Sequence, residues 1–455
     1  MQLLDLPDEL LVLIFSKLHA VRLDKPQTRA FKNKQKERNR QYENYHRRNA
    51  LYALCLTSQR LNRLAVPVLY SSITGSTTWY GLTTLRLFWK TITGNEELCS
   101  HLEYVENLLS DCFGNDLHLD VENNGDDALH LVNEYVEKLA DVILIAPNIR
   151  KISVVSLEIE NCSLWERLLQ FVPENGHFPL VPGHSLLKLE RLTFQTNAKA
   201  GDCIGFEEIL CGLIELPLLT EIRALGATGR SVQVPHVGLT LKNLQRIELT
   251  ECTLGHKVVN DVLIVCDNLR HFICHWSILW CEMSHETPDL LPNLLKHQQT
   301  LETLWLLADR ADFWSNNATS PACFILHEMR SLKEAKICDS FIPYYRFGNI
   351  SPMSVPRKSI SQLLPSTIEH LTITYTMRYI NSTASSFFAE RALYRLADDC
   401  PHYLPHLREL VIQHESFEIP YSTQVEEEIP LPLKFADKGV RFSVLEESDC
   451  LASLD

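Results

Sequence analysis

The sequence predicts an α/β protein: a small all-α N-terminal module followed by a long array of strand–helix units. Three observations carry this expectation. Residues 1–73 contain two apolar-rich segments of helical character, LPDELLVLIFSKL (6–18) and LYALCLTSQRLNRLAVPVLYSSI (51–73). Beyond residue 100, one short pattern recurs nine times: apolar, two variable residues, apolar, one variable, apolar. Between its copies lie stretches whose apolar residues have helical spacing.

The first N-terminal segment opens with Leu6-Pro7 and two acids, then runs apolar from Leu10 to Phe15. Apolar residues around most of a helix's circumference mean burial on more than one side. The second segment repeats the theme at Leu51, Leu54, Cys55, Leu61, Leu64 and Ala65, and its helix is expected to stop at Pro67. Two such helices in so small a unit carry more apolar surface than they can hide from water. Part of that surface is therefore expected to dock another protein. The segment resembles an F-box, the adaptor-binding module of SCF-type ubiquitin ligases, in the version common in filamentous fungi. The resemblance rests on Leu6-Pro7-Asp8-Glu9-Leu10, on Ile14, Phe15 and Leu18, and on LCLTSQRLNRLAVPVLY. It implies that Leu6, Pro7, Leu10, Ile14 and Leu18, with Leu54 and Leu61, contact a Skp-type adaptor and, through it, the cullin and the RING subunit. Some of these residues must instead form the core of the helical hairpin, and the sequence does not divide the two sets.

Family members join these helices by a short loop, whereas residues 19–48 intervene here. This stretch carries ten Lys/Arg against Asp24, Glu37 and Glu43. It is too polar to order itself by burial. It reads either as a solvated insertion or helix extension, or as a nuclear-import or polyanion-binding run, which is the one place where nucleic acid would be expected to bind. Residues 1–70 carry 13 Lys/Arg and 6 Asp/Glu; the whole chain is −14, so residues 71–455 carry −21. An acidic body lacks the basic surface that phosphate contacts need. Residues 74–100 read as a connector.

The repeat runs through NIRKISV (148–154), KLERLTF (188–194), LLTEIRA (218–224), NLQRIEL (243–249), NLRHFIC (268–274), TLETLWL (300–306), SLKEAKI (331–337), TIEHLTI (367–373) and HLRELVI (406–412). HLEYVENLL (101–109) is a candidate tenth copy without a fixed register. The last two apolar positions alternate as one face of a short strand does. Helices are expected between the strands, as in residues 128–144, 206–214 and 258–266, where 128–144 sets Leu129, Val132, Val136, Leu139 and Ile143 on one stripe. Each unit can bury its apolar face only by stacking on its neighbours. The array resembles leucine-rich repeats, which implies an α/β solenoid over residues 101–445. The periods vary, the usual asparagine ladder is absent, and Ala335 stands at a leucine position. FADKGVRFSVL (435–445) is expected to be a last strand, PYSTQVEEEIPLP (420–432) a loop and residues 446–455 an acidic tail.

In such a solenoid the side chains between the apolar strand positions face an open surface. The central position of each strand gives Ser153, Thr193, Arg223, Glu248, Ile273, Trp305, Lys336, Thr372 and Val411. Ile273, Trp305 and the flanking Leu307 stand out as adjacent apolar members, and adjacent exposed apolar groups mark interaction sites. With Arg223, Glu248 and Lys336 they form the expected client-binding surface.

No catalytic set emerges. GxSxG, P-loop, GxGxxG and HExxH patterns are absent, and GHSLL (183–187) and GRSVQ (229–233) lack the second glycine of a nucleophile elbow. The cluster His271, Cys274, His275, Cys281 and His285 resembles a metal set by composition, but a strand over 271–275 turns Cys274 away from the two histidines. No cofactor or metal is expected. Neither is a membrane span, for want of 18 consecutive apolar residues. Asp5, Asp8 and Glu9 stand where a secretory signal carries positive charge, and the 14 cysteines lack paired spacing. A cytoplasmic or nuclear protein follows. The resemblance implies a non-catalytic substrate receptor of an SCF-type ligase; an adaptor-bound scaffold without ligase role, and an enzyme on an unrecognised α/β body, are the alternatives.

Overall fold

The structure, a computed structural model, describes residues 3–22, 34–108, 126–156, 164–169, 185–196, 205–213, 216–229, 240–276, 291–308, 326–338, 341, 359–375, 383–414 and 429–446. It is an α/β protein with all-parallel strands, and the chain forms two compact units, Met1–Leu225 and Gly226–Asp455.

The first unit opens with helices α1 (Asp8–Ser16), α2 (Lys34–Thr57) and α3 (Gln59–Leu69). Asp8 and Glu9 occupy the first turn of α1, where acids favour the helix dipole. Ser58 breaks the chain between α2 and α3: its side chain accepts from the Leu61 N–H (3.2 Å) and so caps α3. The expected stop at Pro67 does not occur. α3 continues to Leu69, because a proline this near the end removes only one internal hydrogen bond. The basic run is also ordered further than its composition suggested, since residues from Lys34 onward are the first half of α2.

Strand β1 (Ser72–Ser76) follows, then α4 (Trp79–Thr93), α5 (Glu96–Ser100) and β2 (Tyr104–Leu108). Residues 74–100, expected as a connector, are thus a strand–helix unit of the array itself. The rest of this unit is α6 (Asp126–Ile145), β3 (Lys151–Ser156), α7 (Leu164–Leu169), β4 (Arg191–Thr196), α8 (Phe206–Leu213) and β5 (Glu221–Leu225). The strands lie in sequence order, β1-β2-β3-β4-β5. Parallel neighbours require a crossover, which the helices supply. Gly81 lets the first turn of α4 sit against β1: a Cβ there would lie 1.9 Å from the Ser76 carbonyl oxygen.

The second unit repeats the scheme with β6 (Arg246–Cys252), α9 (His256–Val265), β7 (His271–Trp276), α10 (Leu291–Leu295), β8 (Thr303–Ala308), β9 (Glu334–Cys338), α11 (Ile360–Leu363), β10 (His370–Tyr375), α12 (Thr383–Tyr403), β11 (Glu409–His414), α13 (Leu431–Ala436) and β12 (Arg441–Glu446). Its strands run β6 to β12 in order. β12 is the expected last strand. Residues 431–432, placed in a loop by the sequence, begin α13.

All nine copies of the pattern coincide with strands, and each of their apolar positions is buried, Ala335 included. In the first unit Ile73, Val105, Ile152, Leu192 and Ile222 form one cross-strand row. In the second, Ile247, Phe272, Leu304, Ala335, Leu371, Leu410 and Phe442 do the same. The uncertain tenth copy takes its register from Leu102, Val105 and Asn107, all buried. Of the stripe expected on α6, Val132, Leu139 and Ile143 are buried, whereas Val136 is half-buried and Tyr135 is buried beside it; the side chain of Leu129 lies outside the described residues. One departure from regularity is a bulge between Leu249 and Cys252, where Glu251 adopts φ 49°.

Candidate interaction surfaces

Helix α1 divides most of its apolar residues between two arcs. Successive residues turn about 100° around a helix. Leu11 and Phe15 therefore share one side, and they are buried with Leu51, Leu61, Ala65 and Val68 in one core. Leu10, Leu13 and Ile14 share another side, turned away from that core, and are 45%, 58% and 43% exposed, while Val12, 46% exposed, lies apart from both groups. The seven residues named for adaptor contact thus separate. Leu10 and Ile14 lie on the open ridge, and Pro7 is exposed at its start. Leu6, Leu18 and Leu54 pack against the core. Leu61 is core and is withdrawn from the contact set, because its place on α3 turns it toward Leu11 and Phe15. Leu13 was missed: it completes the i, i+3, i+4 ridge with Leu10 and Ile14, a spacing visible in the sequence.

The start of the ridge is fixed from α3. Arg60 donates from Nε to Asp8 Oδ1 (2.7 Å), from Nη1 to the Leu4 carbonyl (2.7 Å) and from Nη2 to the Leu6 carbonyl (2.7 Å). Arg63 adds a bond to Asp8 Oδ2 (2.7 Å). The Arg60 hydrogen bond, with both guanidinium charges nearby, holds the Asp8 carboxyl below the usual aspartate range. One side chain thereby orders the Leu4–Asp8 segment that leads into α1.

A second clamp ties α2 to the sheet. Arg40 donates to Glu37 Oε1 (2.6 Å), to Glu106 Oε1 (2.7 Å) and Oε2 (3.0 Å) on β2, and to the Val21 carbonyl (2.7 Å). Tyr104 donates its hydroxyl to the same Glu106 carboxylate. Glu106 is 1% exposed, and these donors satisfy its buried carboxylate. Here part of the basic run makes a buried intramolecular contact. Residues 23–33 lie outside the described residues.

The expected client row has the register read from the sequence. In the first unit Glu106, Ser153, Thr193 and Arg223 are cross-strand partners. In the second, Glu248, Ile273, Trp305, Lys336, Thr372 and Val411 are, with Ser443 following. Its surface chemistry differs from expectation. Ile273 is 3% exposed and belongs to the core. Trp305 and Leu307 are half-buried. The Trp305 indole N–H donates to Glu334 Oε1 (3.0 Å), and the Lys336 ammonium lies 5.2 Å from its ring centre. Arg223 is paired with Glu221 (2.5 Å), and Glu248 with Arg246 (2.9 Å). Shoulder-to-shoulder neighbours about 4.8 Å away cover the apolar members of the row. In the second unit the row combines the buried Ile273, the half-buried Trp305 and charged residues, of which Glu248 is paired along its own strand.

His271 and His275 are half-buried while Cys274 is buried, so the strand does turn the cysteine away. Burial lowers the His271 pKa, with Arg246 adding to the effect. Cys281, His285 and the tail beyond Glu446 lie outside the described residues, as do Gly183, His184 and residues 230–233 of the two glycine–serine segments. Among the described residues no group of three or more His, Cys, Asp or Glu side chains is placed to hold a metal ion. No helix among them is long and apolar enough to cross a membrane. No protein-family model matches the chain, and no curated protein matches it.

Proposed function

We propose that this protein is a substrate receptor of an SCF-type ubiquitin ligase, with an F-box at residues 1–73 and a leucine-rich-repeat-like array beyond it. The observation that carries this reading is the Leu10, Leu13 and Ile14 ridge: three apolar side chains on one helix, turned away from their own core. The ridge contacts a Skp-type adaptor, with Leu6, Pro7 and Leu18 at its margins. The strand array holds a client protein, with Trp305, Leu307, Lys336, Arg223 and Glu248 on its polar face. Catalysis is by proximity: client lysines are held at high effective concentration near the charged thioester of the conjugating enzyme. No residue of this chain performs the chemistry, and the protein works in the cytoplasm or nucleus.

Arg40 and Glu106 support this reading mechanically, because a receptor that works by distance needs its adaptor-binding helices held firmly to the array. The test is co-purification of the full chain with a Skp-type adaptor and cullin, for wild type and for the double variant Leu10→Asp/Ile14→Asp. Wild type should capture both, and the variant should lose both while unfolding at an unchanged temperature. Capture of the adaptor without cullin would favour a scaffold, and capture of neither would overturn the F-box assignment.

A further inference from the structure

Strand β1 is the edge of its sheet and pairs only with β2. The Ser71 carbonyl accepts from the Tyr104 N–H (3.1 Å), and the Thr77 N–H donates to the Leu108 carbonyl (2.9 Å). Parallel pairing turns alternate residues toward the neighbour. Ile73 and Gly75 therefore face β2, and Ser72 and Thr74 turn their backbone N–H and C=O the other way. Among the described residues no hydrogen bond is made to these outward groups of Ser72 and Thr74. An open edge of this kind is a template for another strand.

The space beside this edge has the form of a groove. Two adjoining cavities, of about 450 and 270 Å³, share Asn44, Arg48, Thr74 and Thr84. One follows β1 through Ser72, Ile73 and Thr74, and the other through Thr74, Gly75 and Ser76. Helix α2 forms one wall and α4 the other. Of β2, Glu106 and Leu108 also line it, on the sheet face they share with Thr74 and Ser76, so the groove follows β1 along its edge and the adjoining face.

The lining also specifies an occupant. Six aromatic side chains are exposed among the described residues; Tyr42, Tyr45, Tyr52 and Tyr80 line the groove, and Trp79 adjoins Tyr80. Aromatic groups concentrated in this way mark protein-binding surfaces. Arg48 borders both cavities, lies 5.8 Å from the Tyr45 ring centre and has no acidic partner among the described residues. The one acid that lines the groove, Glu106, is already held by Arg40 and Tyr104. On a chain of net charge −14, this is a basic groove with hydrogen-bonding groups along its floor.

We propose that the β1 edge groove binds an extended acidic peptide segment of a partner protein as an added strand, with backbone bonds to Ser72 and Thr74 and a carboxylate side chain at Arg48. This recognition mode takes affinity from the main chain and selectivity from alternate side chains. It does not depend on the adaptor reading, which rests on Leu10, Leu13 and Ile14 of α1 and is tested by different variants; Leu18, at the margin of that ridge, also lines the groove and is left unchanged in both tests.

The test uses the full chain and fluorescence anisotropy with a labelled hexapeptide of alternating Glu and Val. Two isomers carry N-methyl groups on alternate residues, one on the glutamates and one on the valines. An added strand bonds through only one of these sets. One isomer should therefore bind like the parent and the other at least about 10-fold more weakly. The Lys/Val counterpart should also bind at least about 10-fold more weakly, and Arg48→Glu should erase or reverse that preference. Thr74→Pro, a substitution an edge strand tolerates, should lose binding with an unchanged unfolding temperature. Absence of binding, equal binding of both methylated isomers, or indifference to Arg48→Glu would each overturn the proposal. Binding seen only after removal of residues 447–455 would also overturn it, by making the chain's own acidic tail the occupant.

Discussion

The α1 ridge and the strand row around Trp305 were both expected to be apolar contact surfaces, and they differ in how their neighbours treat them. Leu10, Leu13 and Ile14 remain open because a helix packs only one arc, and Leu11 and Phe15 occupy that arc. Ile273 closes because its cross-strand partners, Glu248 and Trp305, stand on either side. Apolar surplus on a helix thus projects outward, whereas on a sheet face it is covered by the adjacent side chains. The ridge is left open, whereas of Ile273, Trp305 and Leu307 in the strand row only Trp305 and Leu307 keep part of their surface exposed.

The largest expected effect separates the two regions directly. Ile273→Asp places a carboxylate in a site 3% exposed. Urea unfolding should show a loss of about 3–5 kcal/mol, since a buried charge has no partner there. Leu13→Asp on the ridge should change stability by less than about 0.5 kcal/mol. Equal effects would mean that the ridge is packed after all. Ile273→Asp is for that reason a poor probe of client binding: it removes the fold before it removes a contact. Within the N-terminal helices the same contrast is expected at smaller scale. Leu61→Ala should cost about 3 kcal/mol through the cavity it leaves beside Leu11 and Phe15. Leu10→Ala should be close to neutral while weakening adaptor capture.

Much of the array could be read from the sequence because strand register is a two-residue period. The LxxLxL copies fix which side chains face the helices, and a one-residue slip would turn all of them to the wrong side. The positions just before the strands carry a second regularity: Arg270, Glu302, Lys333, Glu369 and Arg408 alternate in sign. Their backbones are hydrogen-bonded in that order, and Arg270 pairs with Glu302 and Arg408 with Glu369. Other features depended on long-range partners. Arg40, within residues 34–48, pairs with Glu106, 66 residues further on, and no local pattern announces that pairing. β1 was missed because SITGS lacks the apolar alternation of the later copies. The exposed edge beside it is visible only once α2 and α4 are placed.

A smaller effect tests how the strand row is held. Trp305→Phe keeps the ring but removes the N–H that Glu334 accepts. The bond is only half-buried, so the loss should be about 1 kcal/mol. Lys336 can still lie over the phenylalanine ring, and Lys336→Met should add a few tenths of a kcal/mol at most. A loss nearer 3 kcal/mol would show that the row is a core element and leave it unfit as a client surface.

The smallest effect is one of pH, and it too separates the regions. His271 faces Thr303 through Nδ1 (3.2 Å) and lies among Arg246, Arg270, Glu302 and Glu334. Burial lowers its pKa below the ordinary 6.5. The unfolded chain then takes up a proton before the folded one does. Stability from this group is complete above about pH 6.5 and falls as the pH drops through the folded value, by at most about 1.4 kcal/mol per pH unit. Asp8 behaves differently: Arg60 and Arg63 depress its pKa below 3.8, so its pairing is intact above that value and lost only in stronger acid. Between pH 7 and pH 5 the strand row should weaken through His271 and the base of the N-terminal helices through His19, whose pKa burial also lowers, while the Asp8 pairing at the start of the α1 ridge does not change. Histidine resonances followed by NMR, alongside adaptor capture across the same range, would read both. Substituting His271 with Gln should flatten its share of the stability slope and leave capture untouched, whereas capture that fell together with the His271 titration would show that the two surfaces are coupled.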